Sequence, residues 1–411
     1  MNPLFVGIDV SSRSNVVCFM HPDGRKLHSF SVQNNLGGAK MLSSRIVATL
    51  TDTQLHMVVI GMEATSVYGE NLLHFLHQDG ALGHFDRKLH VLNPKQVKGF
   101  KDAYPDLPKN DFVDAFVIAD NLRFGRISKE VCFMDDYRYK ALQSLTRARF
   151  HAVQSLTREK QRFSNYVFMK FSSLCQDDVF SNVCGATSLA VLLEFDTVDQ
   201  LEAMDLDELS AFVRTKGRGR FADPEATAKA LQKAARSSYR LPKTVNDSVN
   251  QVLAISVSTM RAMESQIKAL DNAIEQQITL IPNTLTSVKG IGPVFSAGLI
   301  AEIGDIHRFR NQASLAKYAG LVWQQHQSGD FQAEHTRLIK AGNRFLRYYL
   351  LEAANSLRCC DAEFKRYYGL KFREVNHFQH KRALALTARK LVRLVFRLLK
   401  DNKLYIPPEE F

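Results

Sequence analysis

The chain has 411 residues, 54 Lys and Arg against 42 Asp and Glu, a formal net charge of +12, and 45% hydrophobic residues with 27 Phe and 12 Tyr. That apolar content excludes a disordered chain, and the length suggests two or three domains that each bury a core. No run of about 18 uncharged apolar residues exists to cross a membrane, the start MNPLFVGIDV does not read as a signal peptide, and six scattered cysteines without C-x-x-C spacing fit a reducing cytosol and argue against a zinc ribbon or disulfide scaffold.

In chain order, residues 4–10 (LFVGIDV) form an apolar strand ending near Asp9, followed by strands at Val16–Met20 and Ser29–Gln33 with the turn HPDG between them. Further strands are predicted at Met57–Met62, just before Glu63, and at His90–Leu92, followed by Asn93-Pro94. Helices are predicted at Val67–Gln78, with Leu72, Leu73 and Leu76 on one face, and at Asp111–Leu122. The order strand, strand, strand, helix, strand, helix, strand, helix predicts an α/β domain over roughly the first 130 residues. A long helix follows at 138–170, with eight Lys/Arg and one acid, then an acidic stretch around Glu194–Glu208 and a Gly/Arg-rich loop, RTKGRGR, at 214–220. From Val249 a heptad-like series runs through Leu253, Ser256, Met260, Met263, Ile267, Leu270, Ile274 and Gln277 to Ile281. It reads equally as an intramolecular hairpin with 138–170 or as a dimer seam. Residues 284–402 are predicted mainly helical, with a non-helical stretch near Gly320–Phe331. Three domains result, at 1–130, 131–281 and 282–405.

The charge is not spread evenly. Between Arg337 and Lys403 lie 17 Lys/Arg and 5 Asp/Glu, so this last sixth carries the whole surplus and the remaining chain balances at 37 against 37. A localised basic surface points to a polyanion, most often nucleic acid.

Four acids stand where they can converge. Asp9 and Glu63 end apolar strands, and Asp111 and Asp114 open a helix with the i, i+3 spacing that shares one face. Carboxylates gathered above a sheet edge repel unless cations share the charge, so Mg²⁺, or Mn²⁺, is the natural complement, and such ions polarise a phosphodiester for in-line displacement. Singly, each has a plain alternative: a turn residue, a helix N-cap, a surface ion pair. The ordered set resembles the ribonuclease-H-like nuclease fold, in particular the RuvC-like branch with its DEDD acids. The actin-like sugar-kinase ATPases share a GIDVSS-type opening, but the second Gly-rich phosphate loop and the adenosine-binding Gly pair they need are not found.

Further along, TLTSVKGIGPVFSAGLIAEI at 284–303 reads helix, turn, helix. Gly290 and Gly292 allow an exposed backbone turn, so a helix-hairpin-helix contact with a DNA phosphate is expected. Ser328 lies beside Gly329 in a polar stretch. A lone serine in a loop is usually inert, because its hydroxyl needs activation. The turn Gly342-Asn343-Arg344 leads into a basic, aromatic helix where Arg344 and Arg347 are expected to grip phosphates, and Tyr348 and Tyr349 either stack on bases or pack. Lys381, Arg382, Arg389, Lys390, Arg393 and Arg397 recur on an amphipathic helix.

Together GIDVSS, GMEATSVYGENL, NPKQVKGF, KNDFVDA, GIGPVFSAGLIAEIGDIHRF, LAKYAGLVWQQHQSG and KAGNRFLRYYLLEAA resemble, in order and over nearly the whole chain, the transposases of the insertion sequence 110 family, which includes the Piv-type DNA invertases. The resemblance implies an N-terminal RuvC-like DEDD domain, a coiled-coil segment and a C-terminal transposase domain. It places the DEDD acids on Asp9, Glu63, Asp111 and Asp114 as Mg²⁺ ligands, and the family's serine on Ser328 as the nucleophile that forms a covalent phosphoserine with DNA. It further implies double-stranded DNA as substrate, a structured guide RNA, a homo-oligomer (dimer or tetramer), and a prokaryotic cytoplasmic, nucleoid-associated protein. The chain departs from the family at Asn110, where Thr is usual, and at Gln327, where a second serine is common; residues 176–245 look longer than in shorter members. The alternatives are a RuvC-like junction-resolving nuclease that uses water, and a non-catalytic nucleic-acid-binding protein.

Overall fold

The computed structural model describes residues 2–64, 67–104, 108, 110–125, 137–324, 327–328, 331–332 and 337–407. By packing, the chain divides into two units, Met1–Ala141 with Leu280–Phe411, and Leu142–Thr279. No described helix is long and apolar enough to cross a membrane.

The first unit opens with β1 (Leu4–Val10), β2 (Ser14–Met20), β3 (Lys26–Gln33), α1 (Leu36–Asp52), β4 (Met57–Glu63), α2 (Glu70–Gln78), β5 (Asp86–Leu92), α3 (Pro94–Lys101) and α4 (Asp111–Phe124). The five strands form one sheet in the order β3-β2-β1-β4-β5. The first three are antiparallel hairpin neighbours, while β1, β4 and β5 run parallel. This mixed sheet between helices fits the expected ribonuclease-H-like α/β domain.

β1 is central, and its side chains alternate between two cores. Leu4, Val6 and Ile8 enter one with Leu42, Ile46 and Leu50 of α1 and Leu72, Leu73 and Leu76 of α2. Phe5 enters the other, with Ala115, Val117, Ile118, Ala119 and Leu122 of α4. A strand covered on both faces must be apolar throughout, which is why Asp9 becomes possible only near its end. The short predicted strands grow to seven or eight residues once paired, because ladder partners recruit polar residues such as Lys26, Ser14 and Asp86.

In the second unit α5 (Tyr137–Lys170) and α11 (Lys243–Ile278) are long helices joined through α6 (Ser172–Gln176), α7 (Ala186–Glu194), α8 (Val198–Ala203), α9 (Leu206–Gly217) and α10 (Pro224–Ser237). From Leu142 onward α5 lies antiparallel to α11: Arg149 pairs with Asp271, Lys160 with Glu264 at 3.0 Å, and the Ser256 hydroxyl donates to Glu159 at 2.6 Å. At one end Phe163 and Val167 share a core with Val249, Leu253, Val257 and Met260. Along the middle of the heptad series Met263, Ile267 and Leu270 remain half-exposed. The expected loop at 214–220 is half helix, since α9 continues to Gly217 and stops where Arg218 turns left-handed at φ 52°.

The first unit resumes with α12 (Pro293–Ile303), α13 (Gln312–Ala319), the two-residue strands β6 (Val322–Trp323), β7 (Gln327–Ser328), β8 (Phe331–Gln332) and β9 (Leu338–Ile339), then α14 (Arg344–Cys360), α15 (Ala362–Arg373) and α16 (Gln379–Asp401). The helix expected before the glycine turn is a single 3₁₀ turn, Leu285–Ser287. It stops where Val288 becomes extended, at φ −83° and ψ 113°.

Candidate acidic site and serine hairpin

The acids gather because a helix lies unusually close to a strand. Gly7 on β1 has no room for a side chain: a Cβ there would stand 2.2 Å from the Ala115 carbonyl oxygen and 2.4 Å from the Ala119 nitrogen. Gly61 on β4 would similarly meet the Leu122 side chain at 2.8 Å. These glycines, facing the small Ala115 and Ala119, let α4 rest directly on the sheet. Asn110 caps α4 by accepting the Val113 N–H at 2.9 Å, and Gly125 ends it at φ 75°. Its first turn is thereby set above the ends of β1 and β4. Register does the rest: Ile8 pairs with Met62, so Asp9 and Glu63 follow on neighbouring parallel strands.

Carboxylate oxygens of Asp9, Asp111 and Asp114 come within 4.8 Å of one another. Glu63 stands outside that trio yet close enough for Asp9 and Asp114 to act on it. Burial pushes the Asp9 carboxyl up to about 6, reinforced by the charges of Asp111 and Asp114 and opposed by Lys101. Burial, then Asp9 and Asp114, likewise raise Glu63. Lys101, the last residue of α3, reaches Oδ1 of Asp114 at 2.5 Å. Behind them, buried Asp120 accepts from Arg123 at 2.6 Å and from the Tyr104 hydroxyl, which pins the end of α3 to α4. Oxygen-only donors at this spacing suit a hard divalent cation such as Mg²⁺ or Mn²⁺.

Ser328 sits on a different element. β7 pairs with β8, Ser328 opposite Phe331; Gly329 and Lys109 lie outside the described residues. The stem of the segment is well fastened. β6 pairs with β9, and the Gln324 N–H donates to the Arg337 carbonyl at 2.9 Å. Asn343 then ties the exit to the core. Its Oδ1 caps α14 by accepting from Phe345 and Leu346, and its Nδ2 donates to buried Glu302 at 2.6 Å and to the Tyr318 hydroxyl at 3.3 Å. Its backbone N–H donates to the Tyr318 carbonyl at 2.7 Å.

The expected nucleic-acid contacts fall into distinct environments. Gly290 adopts φ 103° and rests against Cys360 and Ser356 of α14, whereas Gly292 faces open space at the start of α12. Arg344 is exposed, with its guanidinium over the Phe345 ring. Arg347 is half-buried and donates to the carbonyls of Ala319 and Lys340, so it braces the stem of the serine segment. Tyr349 is core: its ring fills the space beside Gly298. Lys381 is exposed, Arg382 pairs with Glu374 at 2.9 Å, and Arg389 is half-buried with a buried Nη1 for which no hydrogen-bond partner is found among the described residues.

Lys101, Gly7, Gly61, Glu302 and Asn343 were not singled out for these parts from sequence. The signal available for Lys101 was its place directly after NPKQVKGF; for the glycines it was their repetition in GID and GME.

Residues 6–169 match the family model of DEDD transposases of IS110 elements, and residues 283–369 match the model described as Transposase IS116/IS110/IS902 family. The insertion element IS116 protein of Streptomyces clavuligerus is 25% identical over 98% of this chain and 96% of its own. The IS117 mini-circle protein of Streptomyces coelicolor is 25% identical over 82% of each chain. A structure of T. thermophilus RuvC with a Holliday junction substrate aligns to 30% of this chain and 96% of its own at 16% identity, with a TM-score of 0.23. With the acids in DEDD order and both family models matched in sequence, the chain belongs to the IS110-family transposases.

Proposed function

We propose that this transposase cuts and rejoins DNA strands with Ser328 as nucleophile and with Asp9, Glu63, Asp111 and Asp114 as the seat of Mg²⁺. The observation that carries the reading is the convergence of Asp9, Asp111 and Asp114 at one end of the sheet. A Mg²⁺ ion bound there would supply Lewis-acid polarisation of the phosphate being cut. The chain's own residues do the remainder. The Ser328 hydroxyl gives up its proton as its oxygen forms a bond to phosphorus, the bond from phosphorus to the leaving deoxyribose oxygen breaks, and that oxygen takes up a proton, so the exchange is neutral in protons. A DNA hydroxyl later reverses the exchange, so the phosphoester energy is conserved and no nucleotide cofactor is required. Gly290, Gly292 and Arg344, with Lys381, Arg382 and Arg389 of α16, supply backbone N–H groups and cations for DNA phosphates. Arg347 contributes by bracing the serine segment.

A structured guide RNA is the second polyanion in this reading, and two copies of the chain pair through the half-exposed Met263, Ile267 and Leu270 seam of α11. Ser328→Ala is expected to abolish the covalent protein–DNA adduct while leaving DNA affinity within about twofold. An undiminished adduct removes the serine from the mechanism, and cleaved ends without any adduct in the wild type point to water as nucleophile. Sequencing of co-purified RNA tests the guide.

A further inference from the structure

The motif NPKQVKGF and the lysine after it have no part in the reading above, yet they are built with care. Asn93 accepts the Lys95 N–H at 2.9 Å, Pro94 takes the first helical position with its φ already suited to it, and Val97 is buried in the core that α4 forms with the sheet. The helix so started runs alongside α4 for two turns and ends at Lys101. Tyr104, three residues on, is fixed to buried Asp120 of α4. The end of α3 is therefore held on both sides, and it delivers the Lys101 ammonium to 2.5 Å from Oδ1 of Asp114, with side chains only 25% and 36% exposed.

A lysine at the end of a short helix usually answers the helix dipole and stays in water. This one points into a group of carboxylates, and among the described residues it is the cation that acts on both Asp9 and Glu63. Against the trio of Asp9, Asp111 and Asp114, with Glu63 near it, the Lys101 ammonium offsets only part of the negative charge. The ammonium thus lessens the repulsion that would spread the acids without cancelling their attraction for a divalent ion.

We propose that Lys101 is the resident counter-cation of the metal site, shared with Asp114 in the metal-free chain and displaced from it when a divalent ion binds. The inference rests on the metal-site reading above. A doubly charged ion and an ammonium cannot both lie against one carboxylate without strong repulsion. The lysine stem has four rotatable carbons, so the head can swing aside. Lys101 is a positioning residue in this account: it acts through the acids, keeping them assembled before metal arrives and lowering the metal affinity they would otherwise have.

The test uses the full chain and Mn²⁺, with free ion followed by electron paramagnetic resonance. Lys101→Met keeps the stem and removes the charge. It is expected to bind Mn²⁺ at least tenfold more tightly than the wild type, and to show a larger rise in melting temperature on adding Mn²⁺. Lys101→Arg, which keeps the charge, is expected to stay near wild-type affinity. Unchanged or weaker Mn²⁺ binding by Lys101→Met overturns the proposal. Should Lys101→Met be unfolded without metal, recovery of its native circular dichroism on adding Mn²⁺ supports the proposal, and failure to recover at any concentration overturns it. Asp114→Asn separates the two ideas: if it binds Mn²⁺ as the wild type does, the metal-site reading itself fails; if it loses Mn²⁺ while Lys101→Met is unchanged, only the role of Lys101 falls.

Discussion

The acids and the serine are held by opposite kinds of construction. Asp9, Glu63, Asp111 and Asp114 stand on the ends of two paired strands and the first turn of a helix pressed onto them, with glycines removing every atom that would hold the layers apart. Ser328 stands on the two-residue strand β7, and among the described residues the ties to the core lie at the stem, through β6, β9, Arg347 and Asn343. The difference follows from the chemistry proposed for each. Mg²⁺ tolerates little deviation from octahedral oxygen distances near 2.0–2.1 Å, so its ligands need a rigid frame before the ion arrives. A nucleophile needs only to be brought to phosphorus, and an anchored loop does that.

Gly7→Ala breaks the first construction most severely. Its Cβ would be forced against the backbone of Ala115 and Ala119, lifting α4 and with it Asp111 and Asp114. We expect a loss of about 3 kcal/mol in stability, the upper range for overpacking, and loss of measurable Mn²⁺ binding by calorimetry. Gly292→Ala is the contrasting control, because nothing lies within 4 Å of its Cβ and its φ of −75° suits alanine. Its melting temperature should stay near the wild type, while DNA affinity falls if the turn approaches a phosphate closely. Equal stability of the two variants would mean that the tight contact at Gly7 does not hold α4.

Arg347→Ala tests the stem of the second construction. The guanidinium donates to two carbonyls, Ala319 at 3.1 Å and Lys340 at 3.2 Å. Its removal should cost roughly 1.5–3 kcal/mol, as for hydrogen bonds to a charged group, read from denaturant midpoints. If Arg347 instead serves DNA directly, stability barely changes and the salt dependence of binding weakens.

How much of this was legible in the sequence depends on the range of the interaction that decides it. The acids were readable because strand ends and a helix start are local features: apolar runs stop at Asp9 and Glu63, and Asn110 begins a helix. β1 was readable as an apolar run, but its division between two cores appears only once α1, α2 and α4 are packed on it. The partners that fix packing were not. Tyr349 looks, within its own helix, as suited to stacking on a base as Tyr348 does; it is core because Gly298, some fifty residues earlier, leaves a hollow for its ring. Arg347 reads as a phosphate contact until the carbonyls of Ala319 and Lys340 are found beside it. The heptad series read equally as hairpin or seam because both bury the same positions. In the fold α5 covers its buried end, while Met263, Ile267 and Leu270 stay half-exposed.

Titration sharpens the first construction further. The Asp9 carboxyl lies near 6 in the fold against an ordinary 3.8, so the folded state binds this proton more tightly than the unfolded chain. Its contribution to metal-free stability is present in full below about pH 4 and lost as pH rises through 6. A divalent ion needs the charged carboxylate, so its affinity should rise over the same window. Between pH 5 and pH 7 we expect Mn²⁺ to bind about tenfold more tightly, as for one competing proton, and Asp9→Asn to lose most of that dependence. A flat profile in the wild type would place Asp9 outside the metal site.

The smallest effect is expected at the surface, and it tells a working cation from a structural one. Lys381 is exposed on the first turn of α16, and no ion pair is found for it among the described residues. Arg382, the next residue, is engaged by Glu374. Arg389 lies deeper, its Nη1 buried with no hydrogen-bond partner among the described residues, and burial, then Arg393 one turn away, disfavours its charge. If the face of α16 lies along a phosphate backbone, Lys381→Ala should weaken binding to all DNA sequences by a similar few-fold factor. It should also lower the slope of log affinity against log salt by about 1. Arg389→Ala should do the same and lose more affinity, because a guanidinium already withdrawn from water gives up less hydration to bind an anion. Arg382→Ala should change the slope least, since Glu374 already neutralises it. Equal slopes for all three variants would mean that charge density alone, and not the exposure of particular cations, sets how this helix meets nucleic acid.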